Sequence, residues 1–307
     1  MIKIIKSFCE MLFFFLLFSS CSNNADQWTD LLNYKDFLDW ENNVYPPPDK
    51  VQTEEEMVDS AKHFLAPKGY LSDDPKKSVF RYEIIDSKKM LVISGETMGF
   101  LTTKKSYQNY DLKMKFKYGK KWKWLGKRPR DGGIIYPMTS EKNREFNIHD
   151  GDIGSYWSFG CIADIPCVKS DQLPKSVKDI TPIMKSFIPS LKDSMFLFDP
   201  SGKLDSFGLA IPEKQICVAN PISDKPIGEW NELELISFGD TAIHIVNGNV
   251  VMVLLHCRYK KGNQYVPLRE GQISFQSEGG EMFVEYIRLK HIDKIPDGIL
   301  KNIKFKL

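Results

Sequence analysis

The stretch at residues 128–157, RPRDGGIIYPMTSEKNREFNIHDGDIGSYW, contains two strand-like runs joined by a polar segment. The first run, at 134–136, follows a glycine pair and consists of strand-forming residues. The second run, at 145–150, alternates polar and apolar residues, as a strand with one buried face does. A strand here would place three polar side chains on one face, namely Glu145, Asn147 and His149. Its apolar face would carry Phe146 and Ile148.

The polar face of this second run has the chemistry of a carbohydrate site. Carboxylate, amide and imidazole groups hydrogen-bond sugar hydroxyls, and the neighbouring Tyr156 and Trp157 offer an apolar plane for a sugar ring. The turn Asp150-Gly151-Asp152 adds two carboxylates. The same alternation is also typical of an ordinary strand with one face in water, so spacing alone leaves both interpretations open.

Composition indicates a globular protein without a nucleic-acid partner. The 307 residues are 42% hydrophobic and 12% aromatic, which is enough for a full core. Lys and Arg number 42 against 40 Asp and Glu, for a formal net charge of +2. This balance argues against nucleic-acid binding, and the basic stretch at 113–130 is interpreted as a solvated strand and loop.

The N-terminus resembles a bacterial lipoprotein signal. Lys3 and Lys6 precede an apolar run at 11–18, and small residues lead to Cys21. The run is too short to span a membrane. We therefore expect a signal peptide at 1–20, lipidation of Cys21 and a polar tether at 21–26. These features predict a protein of the bacterial cell envelope that faces the periplasm or the outer surface and touches the membrane only through its lipid anchor.

Four cysteines remain after the signal and the lipidated residue. They are Cys161, Cys167, Cys217 and Cys257. In an oxidising compartment they allow three disulfide pairings, and buried free thiols are the alternative. No spacing typical of a zinc site occurs.

The rest of the chain predicts an all-β sandwich or jelly roll. Eleven strand-like runs separated by turn signals lie at 79–85, 90–94, 100–103, 110–118, 134–136, 145–148, 230–237, 242–246, 250–257, 272–276 and 282–291. Asn247-Gly248 predicts a hairpin turn, and His244 and His256 are expected in the core. The organisation is a single domain at 27–307 with insertions at about 45–78, which contains one helix at 53–65, and at 160–224, which is rich in proline and is expected to be a long connection.

Several short motifs resemble, in order, those of the 3-keto-disaccharide hydrolase family. They are 31–36, 95–96, 99–103, 110–112, 130–134, 145–157, 228–231, 246–248 and 270–279. The resemblance implies a concanavalin-A-like jelly-roll sandwich and a role in glycan handling, often as a lipoprotein. Residues that match the family pattern are Asp131, Glu145, Asp150, Asp152, Trp157, Gln276 and Glu278. Residues that depart from it are Gly132, Asn147, His149 and Ser155, which puts the preferred sugar in question.

The resemblance also implies a reaction on 3-keto-glycosides. A ketone at C3 acidifies the C2 hydrogen, so that a base removes this proton and the C1 substituent is expelled before water adds. The candidate base is Glu145 or His149, the candidate acid is Asp150 or Glu278, and Arg130 would stabilise the enolate. Alternatively Glu145, Asp150 and Asp152 would hold a divalent cation such as Ca²⁺ or Mg²⁺ in that last role. The substrate-binding candidates are Asp131, Asn147, Asp152, Trp157 and Gln276.

Three classes of function are consistent with these patterns. The first is a hydrolase or lyase of oxidised glycosides, although a direct two-carboxylate glycosidase would use the same residues. The second is a non-catalytic surface lipoprotein that binds an oligosaccharide or glycoside, because this fold serves lectins equally well. The third is a partner-binding surface protein that uses the insertion at 160–224.

Overall fold

The computed structural model describes residues 27–44, 79–96, 98–122, 130–139, 143–179, 181, 195–208, 211 and 213–302. The expected signal peptide, the lipidation site Cys21, the tether and the helix at 53–65 lie outside these residues. Within the described part of the chain, no helix is both long enough and apolar enough to cross a membrane.

The described chain folds into two antiparallel sheets that face each other. The larger sheet has twelve strands, namely β1 (Thr29–Asp30), β3 (Phe80–Ile85), β4 (Lys88–Ile93), β6 (Tyr110–Trp122), β10 (Ile162–Ser170), β11 (Met195–Phe198), β12 (Lys203–Gly208), β14 (Asn231–Phe238), β15 (Thr241–Val246), β16 (Asn249–Lys261), β17 (Gln264–Pro267) and β19 (Gly280–His291). Their order is β11-β10-β16-β15-β14-β6-β19-β4-β3. The remaining strands pair at the side, β1 with β19, β12 with β10 and β17 with β16.

The smaller sheet has seven strands, namely β2 (Trp40–Val44), β5 (Gly99–Thr103), β7 (Gly133–Met138), β8 (Asn143–Asn147), β9 (Tyr156–Phe159), β13 (Ile216–Cys217) and β18 (Gln272–Ser277). Their order is β13-β9-β8-β7-β18-β5-β2. Helical structure among the described residues is limited to residues 175–179 and 181 and to Asp297–Asn302. All eleven predicted strand runs correspond to observed strands, and the all-β jelly-roll sandwich is confirmed.

Alternation along the strands builds the core between the sheets. On β6, Leu112, Met114 and Phe116 are fully buried and pack in one continuous apolar cluster with residues of the smaller sheet. The predicted hairpin is also confirmed, since Val246 pairs with Asn249 across the turn. Asn247 and Gly248 there have φ of 50° and 82°, the backbone of a two-residue hairpin turn.

The insertion at 160–224 differs from the long connection expected from its prolines. It contributes β10 to β13 and the helical segment 175–179. The strand β10 pairs with β16 and so extends the larger sheet, whereas β13 pairs with β9 and extends the smaller one. Pro166 lies inside β10, on a peripheral part of the sheet where proline is tolerated, so proline content was a poor guide to loop structure here.

Candidate active site

The register of the smaller sheet gathers the predicted site residues on its outer face, away from the core. Ile135 of β7 pairs with Glu145 of β8, and Glu145 pairs with Trp157 of β9. On the other side of β7, Asp131 forms an isolated bridge with Glu278. Because alternate residues of a strand share a face, Glu145 and Asn147 lie on this outer face while Phe146 points into the core.

Gly133 makes room for two of these side chains. A Cβ atom at Gly133 would lie 2.0 Å from Oε1 of Glu145 and 2.9 Å from Oε1 of Gln276. The side chains of Glu145 and Gln276 therefore both lie over Gly133 of β7, in the space that a side chain at position 133 would occupy.

Burial and neighbouring carboxylates raise the pKa of Glu145. The residue is only 4% exposed, and burial raises its pKa well above the usual value, with further increases from the negative charges of Asp131, Glu278 and Asp152. The shift favours the neutral carboxylic acid, the form of Glu145 that can donate a hydrogen bond or a proton.

His149, in contrast, is held as a buried cation. It is 1% exposed, and its Nδ1–H donates to the carboxylate of Asp152. Burial alone would lower the pKa of His149, but the charge and hydrogen bond of Asp152 outweigh burial and raise it to about 9. Asp152 is held in turn by the hydroxyl of Ser155, which donates to its Oδ2 at 2.6 Å and accepts from the Ala219 N–H at 2.9 Å.

The turn after β8 places Asp150 beside Arg130. The Asp150 N–H donates to the Arg130 carbonyl at 2.9 Å, and the Asp150 carboxylate lies 4.0 Å from Nη1 of Arg130. Burial raises the pKa of Asp150, whereas the charges of Arg130 and His149 oppose that rise. The side chain of Asp150 is 29% exposed. Because Asp150 is more accessible to solvent than Glu145, it is the carboxyl group of the two that ionises more readily.

Asp224 was missed by sequence reasoning. Its carboxylate accepts from the Gly151 N–H at 2.7 Å and the Ile153 N–H at 3.2 Å, and it thereby fixes the turn that carries Asp150 and Asp152. Burial raises the pKa of Asp224 to about 6. No local pattern marks this residue, because it lies 73 positions from its first partner.

The insertion forms one wall of the site. A Cβ atom at Gly151 would lie 2.6 Å from Cβ of Ser176 in the helical segment, so this segment packs directly on the turn. Trp157 is half-buried against a second apolar cluster, made of Leu173, Val177, Met195, Ile216, Val218 and Leu197. The indole therefore lies beside the acidic residues, as expected, but much of its surface packs on the insertion.

The buried polar atoms of the site without a hydrogen-bond partner within the described residues include Nε2 of His149, Oε1 of Gln276 and Oγ of Ser176. Buried polar groups are nearly always hydrogen-bonded in native proteins, so these three atoms are suited to bind a polar ligand. Together they offer one charged donor, one acceptor and one hydroxyl.

The three carboxylates considered as ligands of a divalent cation do not form a metal site. Among the residues that the structure describes, no group of three or more His, Cys, Asp or Glu side chains could hold a metal ion. Glu145, Asp150 and Asp152 do not fit that role, since Asp152 is already bound to His149 and Ser155.

Comparison with solved structures finds distant matches. A provisionally assigned glycosyl hydrolase from Parabacteroides distasonis ATCC 8503 is 16% identical with a TM-score of 0.41, over 89% of this chain and 98% of that chain. The carbohydrate-binding module CBM66 from Bacillus subtilis is 7% identical with a TM-score of 0.36, over 69% and 91%. Domain 4 of AbnA, a GH43 extracellular arabinanase from Geobacillus stearothermophilus, is 9% identical with a TM-score of 0.37, over 86% and 88%.

Comparison at the level of sequence is more direct. No curated protein matches the chain. Residues 27–290, however, match the family described as the 3-keto-alpha-glucoside-1,2-lyase-like domain. The match covers the whole sandwich, including the strands that form the outer-face site. The chain therefore belongs to the 3-keto-alpha-glucoside-1,2-lyase-like family of carbohydrate-active proteins.

Proposed function

We propose that this protein cleaves 3-keto-glycosides by elimination followed by hydration. The C2 proton is removed, the C1–O bond breaks, and the product is an unsaturated ketone with a C1=C2 double bond. Addition of water across this bond, with hydroxyl at C1 and a proton at C2, completes a net hydrolysis. The supporting observation is that the outer face of the smaller sheet carries a buried carboxyl group with a raised pKa, Glu145, and that the turn after β8 carries a buried imidazole with a raised pKa, His149, next to the partly exposed carboxylate of Asp150.

His149 acts on the ketone oxygen in this proposal. Its pKa of about 9 keeps the ring cationic at neutral pH, so it is a poor base, contrary to one of the roles considered from sequence. The unpartnered Nε2–H can donate to the oxygen at C3. A fixed buried cation stabilises the negative charge that develops there in the enolate.

Glu145 supplies the proton to the leaving oxygen, and Asp150 removes the C2 proton. Environments that push two carboxyl groups toward different protonation states are a recurrent basis for acid and base roles at neutral pH. Burial raises the pKa of Glu145 well above its usual value, with neighbouring carboxylates adding to the rise, whereas burial raises the pKa of Asp150 against the opposing charges of Arg130 and His149. These roles are the reverse of the first sequence-based interpretation of Glu145 and Asp150.

The remaining polar residues of the outer face bind substrate hydroxyls. In this proposal they are Asp131, Asn147, Gln276 and Glu278, with Asp152 holding His149 in place and Trp157 offering part of its ring to the sugar. We further propose that the protein is lipid-anchored through Cys21 in the bacterial cell envelope. This location would bring the site to glycosides outside the cytoplasm.

The test is incubation with 3-keto-glucosides and with the unoxidised parent glucosides, with and without divalent metal, while release of the C1 substituent is followed. We expect release from the keto sugars alone. Glu145→Gln keeps the size but not the acid, and should reduce release by about 100-fold or more. The matched control is Glu41→Gln, an exposed glutamate of the same sheet, which should retain full activity.

Two outcomes would overturn the proposal. Cleavage of the unoxidised glucosides at a comparable rate would indicate an ordinary glycosidase. No release from either sugar, together with saturable binding of a glucoside, would indicate a carbohydrate-binding protein.

A further inference from the structure

The interior of the sandwich contains polar side chains that the proposed reaction does not use. The four cysteines of the described chain are among them, as buried free thiols. Two others lie below the turn at 148–154, which carries three of the proposed site residues. They are Tyr118 of β6 and His244 of β15, and they are 3% and 0% exposed. Each of them hydrogen-bonds a backbone carbonyl of this turn.

Tyr118 contacts the beginning of the turn. Its hydroxyl donates to the carbonyl oxygen of Ile148 at 2.8 Å, and the contact is buried. This carbonyl belongs to the peptide that joins Ile148 to His149, so the hydrogen bond fixes the backbone directly before the imidazole. The Tyr118 ring packs edge-on against the Phe116 ring, with centres 5.2 Å apart, and both residues belong to the main core cluster. Packing that does not involve the turn therefore holds the hydroxyl in place.

His244 contacts the end of the turn. Its Nδ1 lies 2.7 Å from the carbonyl oxygen of Gly154. A carbonyl oxygen only accepts hydrogen bonds, so Nδ1 carries a proton. Burial lowers the pKa of His244 to about 3, so the ring is neutral and Nε2 is an acceptor. The Tyr136 hydroxyl is the donor to Nε2.

Packing fixes the orientation of the His244 ring. The ring stacks on that of Phe146, with 4.3 Å between centres and 16° between planes, and Phe146 is the core-facing neighbour of Glu145 on β8. The guanidinium of Arg144, which is 0% exposed, lies 4.6 Å from the centre of the Tyr136 ring. A chain of buried contacts thus runs from Arg144 through Tyr136 and His244 to the backbone of the turn.

Gly154 allows the turn to lie directly on the larger sheet. Its φ is 98°, which favours glycine, and a Cβ atom there would lie 2.4 Å from Cγ2 of Val251 on β16. No side chain separates the two backbones at this point. The turn is therefore held on two sides, because Asp224 accepts from its N–H groups while the two core side chains donate to its carbonyl groups.

We propose that Tyr118 and His244 are positioning residues of the active site, which hold the two ends of the turn at 148–154 from the core side. This inference rests on the proposed function, because it takes His149 and Asp150 of the turn as reacting groups. Both core side chains act through the backbone and not by contact with the substrate. Loss of either hydrogen bond should therefore lower kcat much more than it changes KM.

The first test is Tyr118→Phe, which removes the hydroxyl and keeps the ring. We expect kcat for a 3-keto-glucoside to fall about tenfold, with KM changed less than about twofold. Amide hydrogen exchange at 148–154, measured without substrate, should become faster. The matched control is Tyr286→Phe, which removes a hydroxyl that donates to the carboxylate of Glu232 at 2.6 Å on the exposed surface. This control should change neither kcat nor exchange in the turn.

The second test compares His244→Asn with His244→Gln. The amide nitrogen of asparagine is as many bonds from Cα as Nδ1, so it can still donate to the Gly154 carbonyl. The amide nitrogen of glutamine corresponds to Nε2 and cannot. Both variants lose the stacked ring, so the comparison isolates the hydrogen bond. We expect kcat of His244→Gln to be about tenfold below that of His244→Asn.

NMR of the unmodified protein covers the case in which neither His244 variant folds. At about pH 5, where a histidine with an ordinary pKa is mostly protonated, the ring of His244 should carry a proton on Nδ1 alone. A proton on Nε2, unchanged exchange in Tyr118→Phe or equal kcat in the two His244 variants would overturn the proposal. Exchange and NMR need no substrate, so they decide this inference even if no glycoside is cleaved and the proposed function fails.

Discussion

Gly133 is the residue at which the smallest change should have the largest effect on the site. Its φ is not in the left-handed region, so alanine is compatible with the backbone of β7. The new Cβ would nevertheless meet the carboxylate of Glu145 at 2.0 Å and the amide oxygen of Gln276 at 2.9 Å. We expect Gly133→Ala to displace both side chains and lower turnover of a 3-keto-glucoside by roughly 100-fold, as misplacement by about 1 Å does elsewhere.

The control for this variant is Gly298→Ala in the C-terminal helix, where a Cβ meets nothing within 4 Å. It should keep full activity. Thermal unfolding of both variants distinguishes a displaced site from a damaged fold. Full activity of Gly133→Ala would show that Glu145 can move without consequence, and would count against its role as the acid.

Single residues also show where sequence reasoning works and where it does not. The alternation at 145–148 correctly placed Glu145 and Phe146 on opposite faces, because strand geometry alone fixes that relation. The same reasoning correctly placed His244 in the core but was wrong for His256, which is exposed and hydrogen-bonded to Asp164. His256 has a φ of 48°, and a left-handed residue inside a strand breaks the alternation on which the prediction depended.

At the scale of elements, the insertion at 160–224 was the least predictable part. Its prolines indicated a long connection, yet β10 and β13 pair with strands of both sheets. Such pairings are non-local, and no turn signal or hydrophobic period in the segment itself encodes them. The same holds for Asp224 and Ser176, which reach the site only because the insertion folds back over the turn at 150–153.

The helical segment of this insertion should matter for activity more than for global stability. Leu173 is 7% exposed and belongs to the cluster that packs on Trp157. We expect Leu173→Ala to cost about 2 kcal/mol of packing energy, mostly by loosening the segment at 171–179 rather than the sandwich. Hydrogen exchange should increase in that segment, and kcat/KM for a keto-glucoside should fall by roughly tenfold.

Leu204→Ala is the matched control for this element. Leu204 lies on β12 of the same insertion but is 45% exposed, so its truncation should change neither exchange nor activity. An unchanged kcat/KM in Leu173→Ala, despite faster exchange, would show that the wall formed by the insertion does not support the site.

For the molecule as a whole, the fold was predictable because many strands contribute the same signal. Eleven alternating runs and one hairpin turn restrict the answer to a sandwich even if several boundaries are wrong. The charges inside it were less predictable. Arg144 stands in a polar stretch, Asn143-Arg144-Glu145, that favours exposure, and only the register of β8 against the core places it between the sheets.

The buried pair of His149 and Asp152 should make the stability of the whole domain depend on pH. The pKa of His149 is about 9 in the folded protein against an ordinary value of 6.5. Between these two values the folded state binds more protons than the unfolded state, so the free energy of unfolding should decrease as pH rises through that window. The stabilisation is fully present below pH 6.5 and amounts to about 3 kcal/mol, since each pKa unit corresponds to 1.36 kcal/mol.

Urea unfolding of the unmodified protein and of His149→Gln, measured across this pH range, tests the expectation. The difference between the two curves cancels the contributions of other titrating groups. It should shrink as pH rises from 6.5 toward 9, because the variant has no imidazolium to lose. Parallel curves would mean that His149 is neutral in the folded protein, and a neutral ring could not stabilise an enolate as a fixed cation. The same experiment therefore tests a stability effect of the whole fold and the electrostatic basis of the proposed reaction.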